Sequence, residues 1–143
     1  MIWWEDFAAA EPDLAARVRA LFAVRKHATL ATLRADGSPR ISGTEVDFTD
    51  GLSLGSMPGA RKAADLRRDP RLALHGPTED APADDPSSWA GDAKIAGRAH
   101  EVGDDRFRIE VTEVVLTRVG EPADHLLIES WHPGRGVERH IRR

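Results

Sequence analysis

The chain has 143 residues, 41% of them hydrophobic and 31% charged, with a formal net charge of −4 and no cysteine. That size and balance fit one globular domain over residues 1–143, and the acidic excess argues against a general nucleic-acid or anionic-membrane binder. The lack of cysteine excludes disulfides, zinc–thiolate and iron–sulfur sites and cysteine nucleophiles.

Residues 1–26 read as an N-terminal segment followed by a helix. Trp3, Trp4 and Phe7 crowd the start and should pack on the chain's own core or on a partner. Pro12 suits a first helical turn. Leu14, Val18, Leu21 and Phe22 recur at i, i+4, i+7 and i+8, predicting a docking helix over Glu11–Arg25. The opening lacks the basic start and cleavage pattern of a signal peptide. No apolar run approaches the roughly 20 residues of a membrane span. A cytoplasmic protein with no membrane partner is expected.

Ala28–Leu33 (ATLATL) reads as a strand with small or apolar residues on both faces, which asks for a second surface to cover them. Asp36-Gly37 and Asp50-Gly51 are hairpin signals around a strand over Pro39–Phe48. Gly51–Met57 is a third strand. Pro58-Gly59 breaks it, Ala60–Arg68 has helical character, and Asp69-Pro70 stops the helix before a strand at Leu72–Leu74. A meander of this kind favours an antiparallel sheet or barrel over a βαβ unit.

Residues 77–91 form a polar loop rich in proline and acid, long for a compact domain and expected to be mobile. Its Trp89 can cover an apolar surface or a ligand. Ala93–Val102 is a strand with Gly97 as a candidate bulge. Phe107, Ile109 and Val111 alternate with charged residues, and the apolar parity then shifts to Val114 and Leu116. Either a bulge sits near Thr112–Glu113 or the strand is buried on both faces. Leu126–Trp131 reads as the last strand, followed by a basic tail carrying Arg135, Arg139, Arg142 and Arg143. The count is about seven strands and two helices.

Arg61-Lys62 is the unusual feature. Cations in a first helical turn oppose the macrodipole at about 0.3–1 kcal/mol each. The free N–H groups there bind anions. Two adjacent cations make sense over a phosphate; otherwise both side chains point into solvent. The six histidines show no metal-ligand spacing, and there is no G-x-S-x-G elbow, so no metal site is expected and no residue is assigned as catalytic.

In order and spacing, Asp36-Gly37-Ser38-Pro39-Arg40, Asp50-Gly51, Gly55-Ser56-Met57-Pro58-Gly59-Ala60-Arg61-Lys62 and Leu66-Arg67-Arg68-Asp69-Pro70-Arg71-Leu72-Ala73-Leu74 resemble the pyridoxamine-phosphate-oxidase-like split-barrel superfamily. The resemblance covers about Ala28 to His75 and implies a mainly β fold. It implies a six-stranded antiparallel split barrel with flanking helices, a homodimer, and FMN in a cleft between subunits. By that resemblance Arg61 and Lys62 grip the cofactor phosphate, with Ser56 and Met57 beside it. The backbone of Arg40, Ile41, Ser42, Gly43 and Thr44 lies along the ring. Trp131 and His132 fall where the last strand nears the partner's flavin; Trp131 either stacks there or is a barrel-end or interface aromatic. Two departures matter. Ala60 stands where the family often has serine, which removes one phosphate contact. The chain ends SWHPGRGVERHIRR, without the arginine motif that recognises pyridoxamine phosphate. The implied activity is an FMN-dependent oxidoreductase of an unidentified small molecule other than pyridoxamine phosphate. A deazaflavin-dependent reductase and a non-catalytic flavin- or haem-binding protein are the alternatives.

Overall fold

A computed structural model describes residues Met1–Arg143. The elements in chain order are α1 (Trp4–Ala10), α2 (Pro12–Ala23), β1 (Ala28–Leu33), β2 (Pro39–Thr44), β3 (Val46–Asp47), β4 (Ser53–Gly55), α3 (Arg61–Arg68), β5 (Arg71–His75), β6 (Asp92–Gly103), β7 (Arg106–Val119), β8 (Leu126–His132) and β9 (Gly136–Arg142). No helix is long and apolar enough to cross a membrane.

All nine strands belong to one antiparallel sheet. Seven follow the order β2-β1-β5-β6-β7-β4-β3. The two ends of that path, β2 and β3, are separated in sequence by Glu45 alone, so the backbone itself joins them and the sheet curls into a ring. With β2 and β3 counted as one bent strand, six strands surround the core. The predicted single strand over Pro39–Phe48 is this bent pair. β8 and β9 extend the sheet outward from β7.

One edge of β7 serves three partners. Arg106–Arg108 pair with β4, and Val114–Val119 pair with β8. Between them Ile109 N–H donates to Leu52 O at 2.9 Å and Val111 N–H to Ile2 O at 2.8 Å. The N-terminal segment therefore fills the split between β4 and β8. This answers where the terminal aromatics go. Trp4 and Phe7 sit on α1, a helix that the sequence reading did not assign, and both are buried in the chain's own core.

The predicted parity shift is a bulge. Ala96 pairs with Glu113 but Gly97 with Val111, leaving Thr112 as the extra residue on β7. Phe107, Ile109 and Val111 face inward before it and Val114 and Leu116 after it. A Cβ at Gly97 would land on the Glu110 carbonyl oxygen and 2.8 Å from Ile109 Cγ2. Gly97→Ala is expected to cost about 1–3 kcal/mol, the usual range for overpacking, read as a lower urea midpoint at unchanged m-value. An unchanged midpoint would show that the bulge can relax.

α3 ends where the Asp69-Pro70 signal places it. Asp69 accepts from Arg71 N–H at 3.2 Å and from Arg71 Nη2 at 2.7 Å. The side-chain and backbone hydrogen bonds from Arg71 hold its carboxyl down at about 2. Two expectations are corrected. Leu126–Trp131 is not the last strand, and the basic segment after it is not a free tail. It is β9, an edge strand pairing from Gly136 to Arg142 with β8. The loop 77–91 carries a short 3-10 turn at Pro86–Ser88 and an internal bond in which Trp89 Nε1–H donates to Glu79 O at 2.9 Å.

Candidate functional site

β2 pairs with β1 on one side only, so its other edge is open. Beside it lies a groove of about 730 Å³ whose lining includes Gly43, Thr44, Ser56, Met57 and Lys62. Five of the ten expected site residues thus meet in one place. They come from the end of β2, the segment after β4 and the start of α3.

The start of α3 is built to receive an anion. Pro58-Gly59 turns the chain, with Gly59 at φ 77°. Ala60 spends its N–H on Met57 O at 3.1 Å. No side chain caps the helix, and the N–H groups of Arg61, Lys62 and Ala63 meet no acceptor within the chain. Such groups carry the partial positive charge of the helix end. Lys62 Nζ donates to Gly43 O at 3.0 Å, and neither Lys62 nor Arg61 pairs with a carboxylate. Next to them Ser56 Oγ is buried without any hydrogen-bond partner. A buried hydroxyl left unpaired costs about 1–3 kcal/mol. An orphaned donor, three free N–H groups and two uncompensated cations together fit a phosphate.

The groove also has acidic residues that the sequence reading missed, namely Glu45, Asp47, Asp104 and Asp105, along with His27 and Arg106. Most of these carboxylates are engaged. Glu45 faces His27 Nε2 at 3.5 Å, Asp47 accepts from Thr49 N–H at 2.7 Å, and Asp105 accepts from Arg67 at 2.9 Å. The hydrogen bonds from Thr49 hold the Asp47 carboxyl below its usual range. Asp104 and Asp105 stand on the β6–β7 turn, more than 40 positions from Lys62, and nothing local in the sequence marks them as neighbours.

The other five expected residues lie elsewhere. The strand period separates them: Arg40, Ser42 and Thr44 face one side of β2, opposite Thr32, Leu30 and Ala28, while Ile41 and Gly43 face the other. Arg40 turns inward and its Nε donates to Asp65 Oδ2 at 2.7 Å, so its side chain is committed to the fold. Ser42 is half-buried on the same face as Arg40. Ile41 is exposed and lines a smaller hollow of about 190 Å³ on the outer face of the sheet. Arg61 is exposed at the first helical position, outside the groove lining but one residue from Lys62. Trp131 corrects an expectation. It is 5% exposed, with its ring centroid 4.8 Å from that of Phe7, so it is a core aromatic with no face open to a ligand.

Asp65, outside the groove, is a further residue that sequence reasoning did not single out. It accepts from Thr32 Oγ1 at 2.8 Å as well as from Arg40, and Arg68 approaches at 3.4 Å. Burial pushes its carboxyl up, but the hydrogen bonds from Arg40 and Thr32 outweigh that and leave it below the usual range.

No curated protein matches the chain. Solved structures do. PhzG from Burkholderia lata 383, in complex with tetrahydrophenazine-1-carboxylic acid, superposes with a TM-score of 0.62 at 12% identity, covering 98% of this chain and 95% of that one. A pyridoxamine 5'-phosphate oxidase-related, FMN-binding protein from Nostoc punctiforme PCC 73102 gives 0.60 at 11% identity, covering 96% of each. Campylobacter jejuni ChuZ gives 0.59 at 12% identity over 88% of this chain and 62% of that one. At these identities the likeness establishes a shared fold, and it is the split barrel. The family description named pyridoxamine 5'-phosphate oxidase matches residues 14–139. That match runs from within α2 to within β9 and includes the two-cation start of α3, and it places the chain in the pyridoxamine 5'-phosphate oxidase family.

Proposed function

We propose that the protein is an FMN-dependent oxidoreductase acting on a small molecule other than pyridoxamine phosphate, working as a cytoplasmic homodimer. The observation that supports this reading is the start of α3, where uncapped N–H groups and Lys62 stand at the same groove as the unpartnered Ser56 Oγ, with Arg61 adjacent in sequence. A flavin supplies hydride chemistry when bound, and the protein's part is binding, orientation and electrostatics. Lys62 gives a compact charge already aimed across the groove by Gly43 O, and Arg61 adds a planar fork of donors from outside it. Gly43 and Gly55 leave the groove wall without side chains on both sides, which lets a flat ring approach the backbone.

The second copy is argued from the outer face of the sheet. Ile41, Ala31, Ala73 and Ala96 form one row across β2, β1, β5 and β6 on the side away from the core. Ile41 is 75% exposed there. A row of small apolar side chains capped by an exposed isoleucine suits a flat self-complementary contact.

Parallel titrations of the purified protein with FMN and with a deazaflavin, followed by flavin fluorescence, test the proposal. Saturable quenching by FMN and hydride-driven reduction of the bound flavin are expected. Preference for the deazaflavin would transfer the same site to that cofactor. Binding of either without electron transfer to any acceptor would favour a carrier. A protein that quenches neither would sink the reading.

A further inference from the structure

Asp65 is nearly inaccessible, 2% exposed at its side chain, although it is a carboxylate. Removing such a group from water costs several kcal/mol, and an apolar residue of similar volume is often equally stable in its place. It does not line the groove. Its partners show what it joins. Thr32 belongs to β1, Arg40 to β2, and Asp65 itself lies on α3, one turn beyond Lys62.

β2 pairs with β1 alone, and β1 is itself bonded to α3 through Thr32 and Leu33, so only side-chain ties join β2 to α3 directly. There are two. One is Lys62 Nζ to Gly43 O. The other is Arg40 Nε to Asp65 Oδ2. The first uses one of the three donors of the ammonium that would also hold a phosphate, so that tie is shared with the ligand. The second is part-buried, with Arg40 20% exposed and Asp65 2%, and lies outside the groove lining. The Arg40–Asp65 tie is therefore the one that no ligand contact touches.

We infer that Asp65 is a positioning residue: through Arg40 it fixes β2 against α3, so that the strand backbone and the helix start address a single ligand together. The inference rests on the phosphate reading of the α3 start given above. It assigns Asp65 no contact with cofactor or substrate. Its effect is felt as registration between the part of the groove that faces a ring and the part that faces a phosphate.

The test compares FMN with riboflavin, which lacks the phosphate. The ratio of their dissociation constants measures what the phosphate contributes. It is insensitive to partial unfolding, because loss of folded protein weakens both ligands equally. The wild-type ratio is expected to exceed about 150, and the Arg61→Ala/Lys62→Ala protein should lower it by about that factor without reaching unity, because the α3 N–H groups and the Ser56 hydroxyl remain. In Asp65→Asn and in the paired replacement Arg40→Leu/Asp65→Leu the ratio should fall at least about tenfold. The paired replacement exchanges an ion pair for apolar contact but leaves the buried Thr32 hydroxyl without its acceptor, so the melting temperature should fall by several degrees while the fold is kept. Whichever of the two retains the wild-type circular dichroism decides the matter. A folded variant with the wild-type ratio would make Asp65 a stabilising residue only and overturn the inference. A wild-type ratio already near unity would instead remove the phosphate reading, and the inference with it.

Discussion

Arg61→Ala/Lys62→Ala should weaken FMN binding by at least about 3 kcal/mol, roughly 150-fold in Kd. The reasoning is additive and conservative. A hydrogen bond to a charged group contributes about 1.5–3 kcal/mol, and the lower figure applies because Arg61 is exposed and water already solvates it in the free protein. The free N–H groups of α3 and the Ser56 hydroxyl remain, so binding should be reduced rather than abolished. Lys62→Ala alone should be the larger of the two single effects, since its ammonium is already aimed into the groove by Gly43 O. Fluorescence titration at fixed ionic strength checks both statements. An unchanged Kd in the double variant would remove the phosphate from this end of α3.

The second large effect concerns stability. Phe7→Ala is expected to cost about 3–5 kcal/mol, the range for emptying a buried aromatic site, and to lower the melting temperature by roughly 10 °C or more. Phe7 is fully buried, with ring centroids 5.1 Å from Trp4 and 4.8 Å from Trp131. Its helix also brings Glu5 to Arg108 and Ile2 to β7. Removing the ring should therefore loosen the segment that closes the split between β4 and β8. Calorimetry on the purified variant measures this. A loss below about 1 kcal/mol would mean that α1 contributes little to the folded state in solution.

The two results bear on how far the sequence could be read. The β1–β2 hairpin announced itself through Asp36-Gly37, because only a residue at ease with positive φ fits there, and Gly37 sits at 84°. α3 was bracketed by Pro58-Gly59 and Asp69-Pro70. The bulge was visible as a change of apolar parity, and its glycine partner on β6 was flagged separately. These are local signals, carried by a few adjacent residues. α1 was not visible as a helix, since seven residues are too few for a helical period to show. β9 was missed for another reason. An edge strand bearing Glu138, Arg139, His140 and Arg142 has no core-facing alternation to betray it, and charge on edges is how sheets avoid pairing with one another.

The site divides in the same way. Gly43, Thr44, Ser56, Met57 and Lys62 were placed by motif and do converge. The partner of Arg40 lies 25 positions away, and the register of β2 on β1 decides that Arg40 turns inward while Ile41 turns out. Trp131 was assigned by its position at the end of a strand, but what fills the space beside it is Phe7, from the opposite end of the chain. No neighbouring residue carries that information.

The ring joined through Glu45 has a consequence for the order in which the protein can assemble. The β1–β2 hairpin needs only its own residues and can form while the chain is still being made. β4 must wait for Arg106–Arg108, and Glu5 waits across 103 positions for Arg108. The entropy of those long closures is spent before their contacts give anything back. The groove draws its walls from residue 27 through residue 106. It therefore exists only after the slowest pairings are in place, and a bound ligand would act as a clasp on the last step of folding.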